Sequence, residues 1–138
     1  MRSTYTFLLL AFPALALVNA WWFGSELRRF VDATPSIAST ADIENMKAVV
    51  GRQMYAALAQ IVLLTAGPLI FAFGLMRGVL GPGDVLFIIV PSAAVIVAGS
   101  FYKRVEVAAR HLEATDDELR RQRDAIVSTW LKKPFPDW

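Results

Sequence analysis

The chain has 138 residues, enough for one domain, yet 56% of them are apolar and only 19% charged, a balance that excludes an ordinary soluble fold. The formal charge of +2 arises from bases interleaved with acids, not from a one-sided basic run, so nucleic acid is not an expected partner. With no cysteine there is no disulfide framework, thiolate metal site or iron–sulfur cluster.

The apolar residues fall in three charge-free blocks instead of recurring at the period of a half-buried helix or strand, which makes hydrocarbon their expected solvent. The first block covers residues 5–23 (YTFLLLAFPALALVNAWWF), with no charge between Arg2 and Glu26. At about 1.5 Å per residue, a helix needs about 20 residues to cross a hydrocarbon core of about 30 Å, so this block suffices. Trp21, Trp22 and Phe23 stand where an interfacial aromatic belt belongs, with Arg28 and Arg29 beyond them. Arg2, the apolar run and Val18-Asn19-Ala20 also fit a cleavable signal loosely. The topology such a signal imposes would put nearly all the positive charge on the wrong side, so a retained span is expected.

A loop at 24–53 follows. Residues Glu26 to Val31 extend the first helix, Thr34-Pro35-Ser36 signals a turn, and Ser39-Thr40-Ala41-Asp42-Ile43-Glu44 offers an N-cap with acids in the first turn. Ile43, Met46 and Val50 recur at helical spacing, which predicts extra turns ahead of the second span. That span, residues 54–76, is bracketed by Arg52 and Arg77, both able to reach an interface. Gly81-Pro82-Gly83-Asp84 then reads as a tight turn. The third span, residues 85–102, takes Asp84 as its N-cap and ends at Lys103 and Arg104, making an antiparallel hairpin with the second.

The fold class expected is therefore all-α: an integral membrane protein with three transmembrane helices over residues 1–102 and a helical tail at 103–138. Loop and tail share one side and hold twelve Lys and Arg, against Arg2 and Arg77 on the other. The positive-inside rule then places the N-terminus outside and the C-terminus inside, in a bacterial cytoplasmic membrane.

Each span carries a central proline, Pro13, Pro68 or Pro91, that deprives a carbonyl one turn back of its partner and predicts a kink. None contains Asp, Glu, Lys, Arg or His, the residue types that proton relays, voltage sensors and most ion-coupled sites require. Gln60 lies about two turns inside the second span, where an amide needs an interhelical partner. Ala16 and Ala20, Ala94 and Ala98 recur at a spacing of four, and Gly67 and Gly74 at seven, which lets backbones approach and marks candidate packing faces.

In the tail, Val105, Ala108, Leu112, Thr115, Leu119, Ile126 and Trp130 form a near-heptad seam. Thr115-Asp116-Asp117-Glu118 matches a capping box, predicting a break near Ala114 and a second helix up to about Lys133, stopped by Pro134 and Pro136. Leu112, Leu119, Ile126 and Trp130 are the candidate docking residues, directed either at loop 24–53 or at another protein. Trp130, Phe135 and Trp138 beside Lys132 and Lys133 suit a lipid interface or a partner's groove.

No phosphate loop, dinucleotide fingerprint or zinc helix is present, and a histidine-dependent site would have to rest on His111 alone. No catalytic residue, metal or cofactor is assigned. The order outside, in, out, in with a helical tail, and Ile89-Val90-Pro91-Ser92-Ala93-Ala94 in the last span, resembles the ExbB/TolQ-type motor subunits. The large cytoplasmic loop and glycine-rich second span of that family are missing here, so the resemblance stops at topology. The expected role is a non-catalytic accessory or scaffold subunit of a membrane complex, with lipids and other membrane subunits as partners. The alternative is a homo-oligomeric pore lined by Gln60, Thr65 and Ser92.

Overall fold

Helix dominates because each apolar block satisfies its own backbone hydrogen bonds only in that conformation. A computed structural model describes all 138 residues, of which 83% are helical. Helix α1 runs Arg2–Ala33, α2 Thr40–Met76, α3 Leu86–Arg110 and α4 Asp117–Lys132. The first three contain segments long and apolar enough to cross a membrane. α2 has 37 residues, about 55 Å at the usual rise, so it runs well past a core of about 30 Å. The extra turns expected at Glu26 to Val31 and from Ser39 onward are part of α1 and α2. Pro13, Pro68 and Pro91 each lie inside a helix without ending it.

The chain divides into two compact units, and the division cuts through the helices. It follows a different line from a split at residue 102. One unit comprises Met1–Trp21 and Ala59–Ser100, the other Trp22–Leu58 and Phe101–Trp138. Of the ionisable acids and bases, only Arg2, Arg77 and Asp84 belong to the first, which is hereafter the apolar unit; the second is the charged unit.

In the apolar unit, a small core of Leu9, Leu80 and Ile88 is flanked by Tyr5, Ile70 and Phe71. α2 ends here because Gly78 adopts φ +65°, a conformation open to glycine. The amide of Val79 then donates to the Gly74 carbonyl (3.0 Å) and that of Gly78 to the Leu75 carbonyl (2.9 Å), a Schellman closure. Asp84 does not cap α3 as expected. Residues Pro82–Val85 form a 3-10 turn ahead of α3, and the Asp84 carboxylate folds back to accept the Gly81 amide at 2.7 Å. A short polar side chain in a Gly-Pro-Gly turn satisfies the nearest free N–H, which lies behind it.

The charged unit has a larger core. Leu27 and Phe30 of α1 meet Ile43, Met46, Val50 and Met54 of α2, Ala109 at the end of α3, Leu112 just beyond it, and Leu119 and Ile126 of α4. Ser39 and Asp42 cap α2 reciprocally: Asp42 Oδ2 accepts the amides of Ala38 (2.9 Å) and Ser39 (3.1 Å), while Ser39 Oγ accepts that of Asp42 (3.3 Å). A two-residue parallel bridge sets Ser36 opposite Glu113 and Ile37 opposite Ala114. This bridge, β1 (Ser36–Ile37) with β2 (Glu113–Ala114), has no periodic signal in sequence, because two residues are too few to carry one.

Two details of the tail differ from expectation. The cap of α4 is Asp116, whose side chain accepts the Leu119 amide at 2.8 Å, and not Thr115. Thr115 is occupied elsewhere, its amide donating to the Ile37 carbonyl at 3.0 Å. Ala109, not Ala108, is the buried position, since Val105, Ala109 and Leu112 make an equally regular helical stripe and packing chose that one.

Candidate functional site

Four uncharged polar side chains of the apolar unit, those of Asn19, Gln60, Thr65 and Ser100, find their partners inside the chain. Asn19 Nδ2 on α1 donates to Gln60 Oε1 on α2 at 2.7 Å, an interhelical bond of the kind that offsets the cost of an amide in hydrocarbon. The hydroxyl of Thr65 returns to the Ile61 carbonyl (2.7 Å) and that of Ser100 to the Val97 carbonyl (2.6 Å), so both groups are satisfied on their own helix.

The small residues divide by surroundings. Gly74 is buried beneath Leu80 and Tyr5, with no room for a Cβ. Gly67 is buried and has Ile88 Cγ2 at ordinary contact distance, 3.7 Å from where a Cβ would stand. Both are used in packing within the unit. Ala94 is exposed and Ala98 half-buried, on the least covered of the three long helices. Only 6% of the apolar window containing α3 is buried, against 22% for α1 and 11% for α2. Leu86, Ile89, Val90 and Val97 extend the same uncovered surface.

In the charged unit, Leu112, Leu119 and Ile126 are buried in the core and Trp130 packs against it, half-buried. Their apolar stripe therefore meets loop 24–53 of the same chain. The guanidinium of Arg110 pairs with Glu106 and lies 5.6 Å from the Trp130 ring centroid. Arg123 Nη1 donates to the Leu112 carbonyl at 2.6 Å, capping the chain as it leaves α3. Reasoning from spacing missed Arg123, because its partner is a backbone oxygen eleven residues away with no side-chain signature.

Phe135 meets Tyr55 with ring centroids 6.3 Å apart, and Pro136 and Trp138 lie over Gly51. The end of the chain thus folds back on α2. Near the start of α1's charged portion, Arg52 Nη2 meets Glu26 Oε1 at 2.6 Å, and Gln53 Nε2 donates to the Phe23 carbonyl at 2.6 Å. Ser25 Oγ and the Tyr102 hydroxyl are 3.4 Å apart, and the Tyr102 ring lies flat over Gly24.

Two carboxylates here titrate below their ordinary range. Asp42 is held down chiefly by the Ala38 amide, and Asp137 chiefly by its bond to the Lys133 ammonium. His111 is exposed, with Nδ1 2.8 Å from the Val107 carbonyl. The geometry offers surface: an open apolar helix in one unit and a packed, highly charged helical body in the other. No family model, curated protein or solved structure matches this chain.

Proposed function

We propose that this protein is a non-catalytic accessory or scaffold subunit of a multi-subunit membrane complex. In this reading three helices span a bacterial cytoplasmic membrane with the N-terminus outside, and the charged unit is presented to the cytoplasm. The observation that carries it is the contrast between α3 and its neighbours. α1 and α2 exchange a side-chain hydrogen bond, whereas only 6% of the apolar window containing α3 is buried, against 22% for α1 and 11% for α2. An uncovered face with small residues at Ala94 and Ala98 suits close approach by a helix of another subunit.

The charged unit supports the same reading from the other side. Its apolar stripe is consumed in its own core, so partners would meet a firm body rimmed with paired charges, not a floppy tail. Purification from native membranes in a mild detergent tests the proposal. A defined hetero-complex, lost when Ala94 and Ala98 are replaced with leucine, is expected. A lone monomer with no copurifying protein refutes it. A homo-oligomer that conducts ions in planar bilayers would favour the pore instead.

A further inference from the structure

Within the apolar unit, α1 and α2 leave a groove of about 460 Å³ lined by Thr4, Tyr5, Leu8, Leu69, Ile70 and Phe73. That is within the range of about 300–1,000 Å³ typical of small-ligand sites. Its walls are almost wholly hydrocarbon. Leu69 and Phe73 on α2 and Arg77, the residue just past its end, follow one another four residues apart, and the Arg77 amide still donates to the Phe73 carbonyl, so the three share a face. The Arg77 guanidinium carbon lies 4.8 Å from the Phe73 ring centroid, which sets a positive charge against one wall of the groove.

The charge at this position is not neutralised within the unit. Its single carboxylate, Asp84, is already engaged by Arg2 at 3.1 Å and by the Gly81 amide, and no carboxylate of the chain pairs with Arg77. Two carbonyls at the end of α2 that could attract the guanidinium, those of Gly74 and Leu75, are taken by the Schellman closure. An apolar groove with an unbalanced cation against one of its lining rings is complementary to a molecule with a hydrocarbon chain and an anionic head.

A second copy of this chain is a poorer occupant. Symmetric pairing through the groove would bring one Arg77 towards the other, a like-charge contact. We propose that the groove is a site for one anionic phospholipid, its acyl chain along Tyr5, Leu8, Leu69 and Phe73 and its phosphate on Arg77. The proposal stands whether or not the chain serves as a subunit of a complex.

Native mass spectrometry of the delipidated full chain in detergent tests it, titrated separately with phosphatidylglycerol and phosphatidylcholine carrying identical acyl chains. One phosphatidylglycerol should bind about fivefold more tightly than phosphatidylcholine, the ratio that corresponds to about 1 kcal/mol for one basic residue at a lipid surface. Arg77→Gln should bring the two lipids to parity, while Arg77→Lys should keep the preference. Leu69→Trp, which fills the slot from an exposed position, should weaken both. Equal binding of the two lipids by the unaltered chain overturns the proposal. So does a preference that survives Arg77→Gln, since that would put the headgroup on another basic residue of the chain. Lipid affinities untouched by Leu69→Trp overturn the placement of the acyl chain.

Discussion

Replacing Gly24 with alanine sets two effects of opposite sign against each other. Gly24 is interior to α1, where helix propensity alone favours alanine by about 0.8–1.0 kcal/mol. A Cβ at this position, however, would stand 2.5 Å from Tyr102 Cγ and 2.6 Å from both Cδ atoms, on the face of the ring. Overpacking of that kind costs about 1–3 kcal/mol, because the ring must leave its rotamer or the backbone must shift. Tyr102 is only half-buried and has some freedom to yield, so a net loss of about 1 kcal/mol is expected. Gly51 provides the contrast in the same unit. It is also helical, but the nearest atom to its added Cβ is Trp138 Cζ2 at 3.7 Å, an ordinary contact. Gly51→Ala should therefore gain up to about 1 kcal/mol. Thermal unfolding in detergent, followed by circular dichroism, reads both shifts. In a Tyr102→Ala background Gly24→Ala should change sign and become stabilising. If Gly24→Ala is as stable as the parent, or equally harmful with and without the Tyr102 ring, the steric reasoning is wrong.

Four further outcomes follow from other contacts. Gln60→Leu should cost about 0.6 kcal/mol, and no more than about 1.7, as bilayer hydrogen bonds usually do; equilibrium unfolding in mixed micelles measures it, and an unchanged midpoint would discount the bond to Asn19. Asp84→Ala should destabilise the turn between α2 and α3 more than Arg2→Gln does. The aspartate serves both the Gly81 amide and the arginine, while the Arg2 side chain is 72% exposed and its pairing heavily screened; hydrogen exchange at Gly81 reports the difference. The depressed Asp42 gives a pH dependence of definite sign. Because its folded-state value lies below the ordinary 3.8, its contribution to the start of α2 is complete above that value and is lost as pH falls through the lower folded one. Asp42→Asn should flatten that acid limb in a helicity titration. Finally, the lack of cysteine makes single-cysteine labelling clean. A membrane-impermeant maleimide added to the outside of intact cells should reach Gly83→Cys but not Arg121→Cys, and the reverse pattern would invert the proposed orientation.

The existence of α1, α2 and α3 and the places where they are apolar were determined by the sequence alone. A charge-free run of about 20 residues has one favourable solvent and one backbone conformation in it, and both are local properties. The same locality made the Ser39 cap, the extra turns of α1 and α2 and the break near Ala114 readable before any contact was known. Periodicity likewise announced a buried stripe at Leu112, Leu119 and Ile126. It could not say whether loop 24–53 or another protein covered it, because a stripe records only that water is excluded.

The tertiary structure decided what depends on distant residues meeting. It paired Asn19 with Gln60, sent Asp84 back to Gly81 and Arg2, gave Thr115 to Ile37 so that Asp116 became the cap, and chose Ala109 over Ala108. In each case several neighbours in sequence were chemically equivalent. The choice among them was made by which atom another segment brought within about 3 Å, a long-range distance that no local pattern encodes.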